Sequence, residues 1–138
     1  MTGGDRRGKV GKKRIMVVDD NPDVLLSIKH GLEALDPDFE VVGVESGEEC
    51  IQLLESGKIP DLIMLDIMMP GLSGWETYKR IKDRPEWKAI PLIFLTARTD
   101  EIARRVGEFL GDDYIEKPFE TKELKERIDK ILREKNKL

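Results

Sequence analysis

The stretch that most constrains the fold of this chain covers residues 61–74, with the sequence DLIMLDIMMPGLSG. Residues 62–65 form a continuous apolar run, which is typical of a strand buried on both faces of a sheet. The run ends at Asp66, and a Pro-Gly turn follows it. Asp66 is therefore predicted at the carboxyl end of a central strand. Taken alone, it could either cap the turn or act as a functional carboxylate.

Short apolar runs alternate with helical patterns, which predicts parallel strands joined by right-handed crossovers. The predicted strands cover residues 14–18, 39–44, 62–65, 90–95 and 114–115. The first predicted helix begins at Asn21-Pro22 and ends at Asp36-Pro37, and the second begins at a capping box of Ser46 and Glu49. The third begins at a capping box of Ser73 and Glu76 and ends at Pro85. The fourth contains Ile102, Val106 and Phe109 and ends at Gly111, and the fifth is capped by Thr121. The sequence thus predicts an α/β fold, a doubly wound five-stranded parallel sheet with five helices.

The 138 residues are enough for one domain with a sizeable core. The net charge of −4 is unevenly distributed, because residues 1–14 hold six basic and one acidic side chain while the rest hold 18 basic and 27 acidic ones. We predict a disordered basic arm over residues 1–13, a single domain over 14–132 and a frayed tail over 133–138. The arm has no aromatic residue to stack on bases, so direct nucleic-acid binding is not expected.

The cellular setting is predicted from what the sequence lacks. The single cysteine, Cys50, excludes an intramolecular disulfide and favours a reducing, cytoplasmic location. No apolar run approaches the roughly 18 residues of a membrane span, and the start lacks the apolar core of a signal peptide. We therefore expect no contact with a membrane.

Polar side chains follow four of the predicted strands. Asp19 and Asp20 follow the first strand, Asp66 the third, Thr96 the fourth and Lys117 the fifth. The carboxyl ends of parallel strands meet at one edge of an open sheet, and ligands bind there. We therefore expect these five side chains to lie close together.

The predicted cluster has the chemistry of a metal and phosphate site. Three carboxylates and one ammonium leave a net charge of −2, which favours a bound cation. Mg²⁺ prefers a few carboxylates together with waters and a substrate phosphate. The lysine and the hydroxyl suit the oxygens of a phosphoryl group, and aspartate is a competent nucleophile for phosphoryl transfer. The pattern predicts an acidic Mg²⁺ site at which one Asp accepts phosphate.

With these motifs the chain resembles the receiver domains of response regulators in two-component signalling. The similar segments are Val17-Val18-Asp19-Asp20, Leu65-Asp66-Ile67-Met68-Met69-Pro70-Gly71, Leu95-Thr96-Ala97 and Asp112-Asp113-Tyr114-Ile115-Glu116-Lys117-Pro118-Phe119. The resemblance covers residues 14 to about 132, which is nearly the whole chain. It implies the flavodoxin-like strand order 2-1-3-4-5.

The resemblance implies roles for the acidic residues. Asp66 resembles the acceptor that takes phosphate from the phosphohistidine of a histidine kinase. Asp19 and Asp20 resemble a Mg²⁺-binding pair, which Asp66 and the backbone carbonyl of Met68 complete.

The resemblance also implies roles for three residues near the last strands. Thr96 resembles a switch hydroxyl that moves to bond a phosphoryl oxygen, and Lys117 resembles the ammonium that pairs with the phosphorylated Asp. Tyr114 resembles an aromatic switch residue that turns inward on activation. A cis peptide bond is expected between Lys117 and Pro118.

Two positions depart from the family's pattern. Before the last strand the family usually has Leu-Gly-Ala-Asp-Asp-Tyr, whereas residues 110–114 read LGDDY, one residue fewer. We expect an altered helix or exit loop there, on the signalling face. Ser73 stands where an acidic or amide residue is more usual, and because Ser73 can cap the helix we expect this change to be harmless. Met68 and Arg98, which flank the site, are candidates for tuning the phosphoryl lifetime.

The leading interpretation is a stand-alone receiver, phosphorylated on Asp66 by a histidine kinase or phosphotransfer protein. It would signal to a separate, unidentified protein through the predicted fourth helix, fifth strand and fifth helix. It would catalyse its own phosphorylation and dephosphorylation without being a turnover enzyme. One alternative is a receiver excised from a hybrid kinase or a transcription factor. A weaker one is a Mg²⁺-dependent aspartyl-phosphate phosphatase of the haloacid-dehalogenase type, which needs a second Asp where this chain has Met68.

Overall fold

The computed structural model describes residues 12–69, 71–97 and 113–136. The strands are β1 (Lys13–Val18), β2 (Phe39–Val44), β3 (Leu62–Asp66), β4 (Leu92–Ala97) and β5 (Asp113–Lys117). The helices of the described ranges are α1 (Pro22–Leu35), α2 (Gly47–Glu55), α3 (Gly74–Asp83) and α4 (Thr121–Asn136).

The five strands form one parallel sheet in the order β2-β1-β3-β4-β5. This arrangement confirms the strand order 2-1-3-4-5. All five residues of β3 are buried, and β3 pairs with β1 on one side and with β4 on the other. The apolar run that precedes Asp66 therefore forms the central strand.

Two apolar layers cover the two faces of the sheet, because successive strand residues point to opposite faces. One layer packs Met16, Val18, Ile63 and Leu65 of the sheet against Cys50, Ile51 and Leu54 of α2 and Ile81 of α3. The other packs Ile15, Val17, Leu62 and Met64 against Leu25, Ile28 and Leu32 of α1 and Leu124, Ile128 and Ile131 of α4. Burial, with a smaller contribution from the charge of Glu49, raises the pKa of the Cys50 thiol to about 12. Cys50 thus acts as an apolar core residue.

The helix starts follow the predicted capping residues, with two differences. Asn21 caps α1, and Ser73 forms a complete capping box with Glu76 at α3. At α2 the Ser46 side chain accepts from the amide of Glu49, but the Glu49 carboxylate accepts from Glu45 instead of Ser46, so the predicted box is incomplete. Thr121 was predicted to cap the last helix, which would then begin at residue 122. Instead Thr121 is the first residue of the helix, and the Glu120 carbonyl accepts a hydrogen bond from the Leu124 amide.

Element ends differ from the prediction at three places. The fourth strand was predicted from residue 90, but Ile90 lies in the turn after α3, where its amide bonds to the Trp87 carbonyl, and the strand begins at Leu92. The last strand extends to Asp113–Lys117 instead of two residues. Residues 133–136, predicted as part of a frayed tail, belong to α4. Residues 133–135 are exposed, so the last turn of α4 extends beyond the buried part of the helix, and element ends are the least certain part of a prediction from local pattern.

Several predictions lie outside the described residues. They are the helix marked by residues 102, 106 and 109, the shortened segment before residue 113, the Arg98 side chain, and residues 1–11 of the basic arm. The described ranges therefore hold four of the five predicted helices. Lys13, placed in the arm by the prediction, is the first residue of β1. Among the described residues, no helix is both long enough and apolar enough to span a membrane.

Candidate functional site

The site residues come from the carboxyl ends of three strands. Asp19 and Asp20 follow β1 directly, while Asp66 and Lys117 are the last residues of β3 and β5. In a parallel sheet these ends lie at one edge. The Lys117 ammonium reaches past β4, donating to Asp19 Oδ2 beside β1 at 2.8 Å and to Asp66 Oδ2 at the end of β3 at 3.3 Å.

Asp19 is the most deeply buried charged residue of the site, with 1% of its surface exposed. Its second oxygen, Oδ1, accepts a hydrogen bond of 2.9 Å from the backbone amide of Asn21. The carboxylate is therefore held between the start of α1 and the Lys117 ammonium, which offsets the cost of burying a charge.

Asp66 is 5% exposed, and its Oδ1 accepts a 3.1 Å hydrogen bond from the amide of Met68. Burial raises the pKa of the Asp66 carboxyl above its ordinary value. The charge of Lys117 opposes this increase, and the charge of Asp19 adds to it. The native state thus disfavours the Asp66 anion unless further positive charge is present.

Lys117 experiences opposite effects from the same surroundings. Burial, the largest single effect, lowers its pKa, but the hydrogen bond to Asp19 and the charges of Asp66 and Asp19 together outweigh it. The net result is a raised pKa, so Lys117 is an ammonium ion at neutral pH. The peptide bond between Lys117 and Pro118 is cis, as expected.

The carboxylates of Asp19, Asp20 and Asp66 each offer one oxygen, and these oxygens lie within 4.8 Å of one another. Asp20 is exposed whereas the other two are buried, so the group opens to solvent on one side. A compact set of hard oxygen donors with an open side fits a divalent cation that keeps some of its water. Met68, the predicted source of a carbonyl ligand, has a side chain that points away from the core, with 61% of the residue exposed.

The two predicted switch residues are placed by their strands. Thr96 is the penultimate residue of β4 and pairs with Glu116 of β5; its side chain lies outside the described structure. Tyr114 in β5 is half-buried and packs against the α2–α3 side of the sheet. Its carbonyl accepts a 3.0 Å hydrogen bond from Arg127 of α4. The structure thus brings Asp19, Asp20, Asp66 and Lys117 together at the edge of the sheet. It places Tyr114 on the face of the sheet that α2 and α3 cover.

One contact near the site was missed at the level of sequence. Glu48, in the first turn of α2, accepts a 3.2 Å hydrogen bond through Oε2 from the amide of Leu72, just after β3. The sequence gives no signal that separates Glu48 from the adjacent Glu49, since both are acidic residues in a first helical turn.

The fold and the site define a flavodoxin-like α/β protein with a carboxylate cluster and a lysine at the carboxyl edge of its sheet. Residues 15–129 match the family model of the response regulator receiver domain. The chain belongs to this family, and it is the receiver domain of a two-component response regulator.

Similar proteins and structures agree with this assignment. The chain is 43% identical over 122 residues to the phosphate regulon transcriptional regulatory protein PhoB of Rhizobium meliloti, covering 87% of this chain and 52% of that protein. The chain spans about half the length of the curated relatives it matches.

Two solved structures show the same fold. A CheY-like response regulator receiver domain protein from Methanospirillum hungatei has a TM-score of 0.77 and 31% identity, covering 91% of this chain and 98% of that one. The signal receiver domain of a histidine kinase from Syntrophus aciditrophicus also has a TM-score of 0.77 and 31% identity, covering 88% of this chain and 90% of that one.

Proposed function

We propose that the chain is a phosphorylation-controlled binding module in which Asp66 accepts a phosphoryl group from the phosphohistidine of a histidine kinase or a phosphotransfer protein. The observation that most supports this proposal is the shared hydrogen bonding of Lys117 to Asp19 and Asp66 beside a compact group of carboxylate oxygens. Such a cluster is a poor structural device, because buried like charges oppose folding. It suits a site that receives a cation and an anionic group together.

The residues present fit Mg²⁺ as the cation. Asp19, Asp20 and Asp66 supply hard oxygen donors, and the Met68 backbone carbonyl is a further candidate ligand. When bound, the ion supplies positive charge that stabilises the Asp66 anion and the oxygens of the transferred phosphoryl group. The net charge of −2 for the three Asp and Lys117 is the electrostatic reason to expect a divalent ion.

The Asp66 carboxylate is the proposed nucleophile. One of its oxygens forms a bond to phosphorus as the bond between phosphorus and the histidine nitrogen breaks, and the electron pair of that bond stays with the histidine. Lys117 is already within hydrogen-bond distance of Asp66 Oδ2, so it is placed to pair with the new phosphoryl charge. The Thr96 hydroxyl is the proposed partner for another phosphoryl oxygen.

Signalling would follow from a shift between two states of the domain. In this proposal Thr96 and Tyr114 move when Asp66 is phosphorylated, which shifts the equilibrium between two conformations of one surface. That surface consists of β5, the last helix α4, and the helix predicted around residues 102–109. Tyr114 and Arg127 already join β5 to α4 through a hydrogen bond. The changed surface would then bind a separate protein, which gives the domain an output without turnover catalysis. Dephosphorylation would be self-catalysed at the same site.

A second candidate function is favoured by the length comparison. The relative from Rhizobium meliloti is named as a transcriptional regulatory protein and is about twice as long as the matched region. The chain would then be the receiver part of a longer DNA-binding regulator, or of a hybrid kinase; the similar receiver domain from Syntrophus aciditrophicus belongs to a signal transduction histidine kinase. The phosphorylation chemistry is the same in both cases, and only the output differs. A cytoplasmic location belongs to the same proposal, since the buried Cys50 suits a reducing compartment.

The proposal is tested by mass spectrometry after incubation with acetyl phosphate and Mg²⁺. We expect the unaltered protein to gain about 80 Da, one phosphoryl group, in a form that is labile to base. Asp66→Ala and a Mg²⁺-free sample should show no gain. Asp61→Ala is the matched control, because Asp61 lies just before β3 and its carboxylate accepts the Arg14 amide far from the site. A gain in Asp66→Ala equal to that of the unaltered protein would contradict the assignment of Asp66.

A further inference from the structure

The start of α2 lies tightly against the residues that follow β3. We call residues 67–69 and 71–74 the post-β3 segment. A Cβ atom added to Gly47 would lie 2.1 Å from Thr77 Oγ1 and 3.0 Å from the carbonyl oxygen of Leu72. Only a residue without a side chain allows this approach. The backbone of the first turn of α2 is thus in contact with the end of the post-β3 segment.

Glu48 adds a directed contact to this packing. Its Oε2 accepts from the Leu72 amide at 3.2 Å, a hydrogen bond between residues 24 positions apart. The same oxygen would lie 3.3 Å from a Cβ atom at Gly71, whose φ of +71° already favours glycine. The carboxylate therefore lies over both residues. Because Glu48 is in the first turn of α2, the helix dipole also stabilises its negative charge there.

The other end of the post-β3 segment is held by the site itself. The Met68 amide donates to Asp66 Oδ1 at 3.1 Å, and the Gly74 amide donates to the Ile67 carbonyl at 3.0 Å. The hydrogen bond between Gly74 and Ile67 thus joins the two ends of the segment, and the bond from Met68 attaches it to Asp66. Glu48 is the contact from a different element that fixes it near Leu72.

We propose that Glu48 is a positioning residue, which holds the post-β3 segment so that the backbone carbonyl of Met68 is available to Mg²⁺. This inference rests on the proposed function, because it takes that carbonyl as a ligand. Residues that orient a metal ligand from outside the coordination shell commonly affect the metal affinity strongly. Glu48 would act in this way through the backbone of Leu72, without touching the ion or the phosphoryl group.

The test compares three variants in the first turn of α2. Glu48→Ala removes the acceptor, Glu48→Gln keeps an acceptor oxygen but loses the charge, and Glu49→Ala removes the neighbouring carboxylate, which accepts the Glu45 amide at 3.1 Å. Mg²⁺ titrations followed by tryptophan fluorescence give the dissociation constants, since Trp75 lies in the first turn of α3 beside the segment. Hydrogen exchange at the Leu72 amide, measured by NMR without Mg²⁺, reports the contact directly.

We expect Glu48→Ala to raise the Mg²⁺ dissociation constant by about 10-fold, the lower end of the usual range for residues outside the coordination shell, and to speed the exchange of the Leu72 amide. Glu48→Gln and Glu49→Ala should stay within about twofold of the unaltered protein. Equal weakening in Glu48→Ala and Glu49→Ala would overturn the inference, because it would show an effect of charge alone. Faster exchange at Leu72 with an unchanged dissociation constant would also overturn it.

The same titration separates this inference from the proposed function. If the unaltered protein does not respond to Mg²⁺, the proposed metal site is wrong and the role of Glu48 falls with it. If the unaltered protein responds and Glu48→Ala binds Mg²⁺ equally well, only the role of Glu48 is wrong.

Discussion

Lys117 decides the electrostatic state of the site, because its single charge is shared by two buried carboxylates. It lies 2.8 Å from Asp19 and 3.3 Å from Asp66, so neither carboxylate has a full counter-charge of its own. Lys117 is farther from Asp66 than from Asp19, and burial raises the pKa of the Asp66 carboxyl. The site is therefore built at some cost to stability, as is common where function requires unbalanced charge.

This imbalance predicts that Asp66→Asn stabilises the protein when Mg²⁺ is absent. A raised pKa in the folded state means that the Asp66 anion opposes folding at neutral pH. This cost is absent below the ordinary pKa of 3.8, grows as the pH rises from that value to the higher folded pKa, and is constant above it. We expect Asp66→Asn to increase the free energy of unfolding at pH 7 in EDTA.

Urea denaturation at several pH values measures this effect. The difference between Asp66→Asn and the unaltered protein should decrease as the pH falls toward 4, and added Mg²⁺ should stabilise the unaltered protein more than the variant. Asp61→Asn, at the other end of β3, should show no such gain. A loss of stability in Asp66→Asn at pH 7 would contradict the electrostatic interpretation.

The individual residues of the carboxylate cluster could be predicted from sequence, whereas Glu48 could not. Asp19, Asp20, Asp66 and Lys117 each end or follow an apolar run, and the topology of a parallel sheet then brings them together. The contact of Glu48 with Leu72 depends on the distance between α2 and the end of the post-β3 segment. No periodicity or local motif encodes that distance.

At the scale of the elements, the first turn of α3 has a complete capping box. The Ser73 hydroxyl accepts from the Glu76 amide at 3.3 Å, and Glu76 Oε1 accepts from the Ser73 amide at 3.3 Å. Thr77 adds a buried hydroxyl that donates to the Ser73 carbonyl at 2.9 Å. These contacts fix where α3 leaves the post-β3 segment.

We predict that Ser73→Ala lowers the free energy of unfolding by about 1 kcal/mol, the usual effect of losing a helix cap. Ser73→Asp should retain most of the stability, because aspartate is also a good cap. Ser56→Ala is the control, since Ser56 lies at the exposed carboxyl end of α2, where its hydroxyl donates to the Leu53 carbonyl. Thermal unfolding measures all three, and equal losses for Ser73→Ala and Ser56→Ala would contradict the capping role.

The type and order of the described elements were predictable, but several of their ends were not. The apolar pattern places each strand, yet Ile90 belongs to a turn although it is apolar and 7% exposed. Burial of a turn residue gives the same local pattern as burial of a strand residue. The incomplete capping box at α2 has a different, local cause, because the Glu49 carboxylate accepts a hydrogen bond from the Glu45 amide instead of the Ser46 amide.

For the molecule as a whole, four charged residues join segments that are far apart in the chain. We call Lys13, Asp36, Lys125 and Asp129 the ion network. Lys125 pairs with Asp129 at 2.5 Å and with Asp36 at 3.9 Å, while Lys13 lies 4.0 Å from Asp36 and 3.9 Å from Asp129. Both ammonium groups also lie within 6 Å of the Phe39 ring, at 5.5 and 5.9 Å from its centroid. The network links β1, the end of α1 and α4.

We predict that Lys125→Met lowers the free energy of unfolding by about 0.5–1 kcal/mol at low ionic strength. Salt should reduce this loss, because the side chain is 30% exposed and its interactions are screened. Lys122→Met, at an exposed position about one turn earlier in α4, serves as the control. Urea denaturation at low and high salt gives the difference, and a loss that is independent of salt would point to packing instead of charge.

The placement of Lys117 also has a consequence for the order in which the molecule is made. Asp19 and Asp66 precede Lys117 by 98 and 51 residues. A growing chain on the ribosome therefore exposes β1 and β3, with their carboxylates, well before their cation has been synthesised. Contacts over such separations form late, since the loops between them must first be closed. Until β5 docks, the nascent edge of the sheet holds its acidic residues without the lysine, so the site is complete only when the last strand is in place, with α4 still to pack on the sheet.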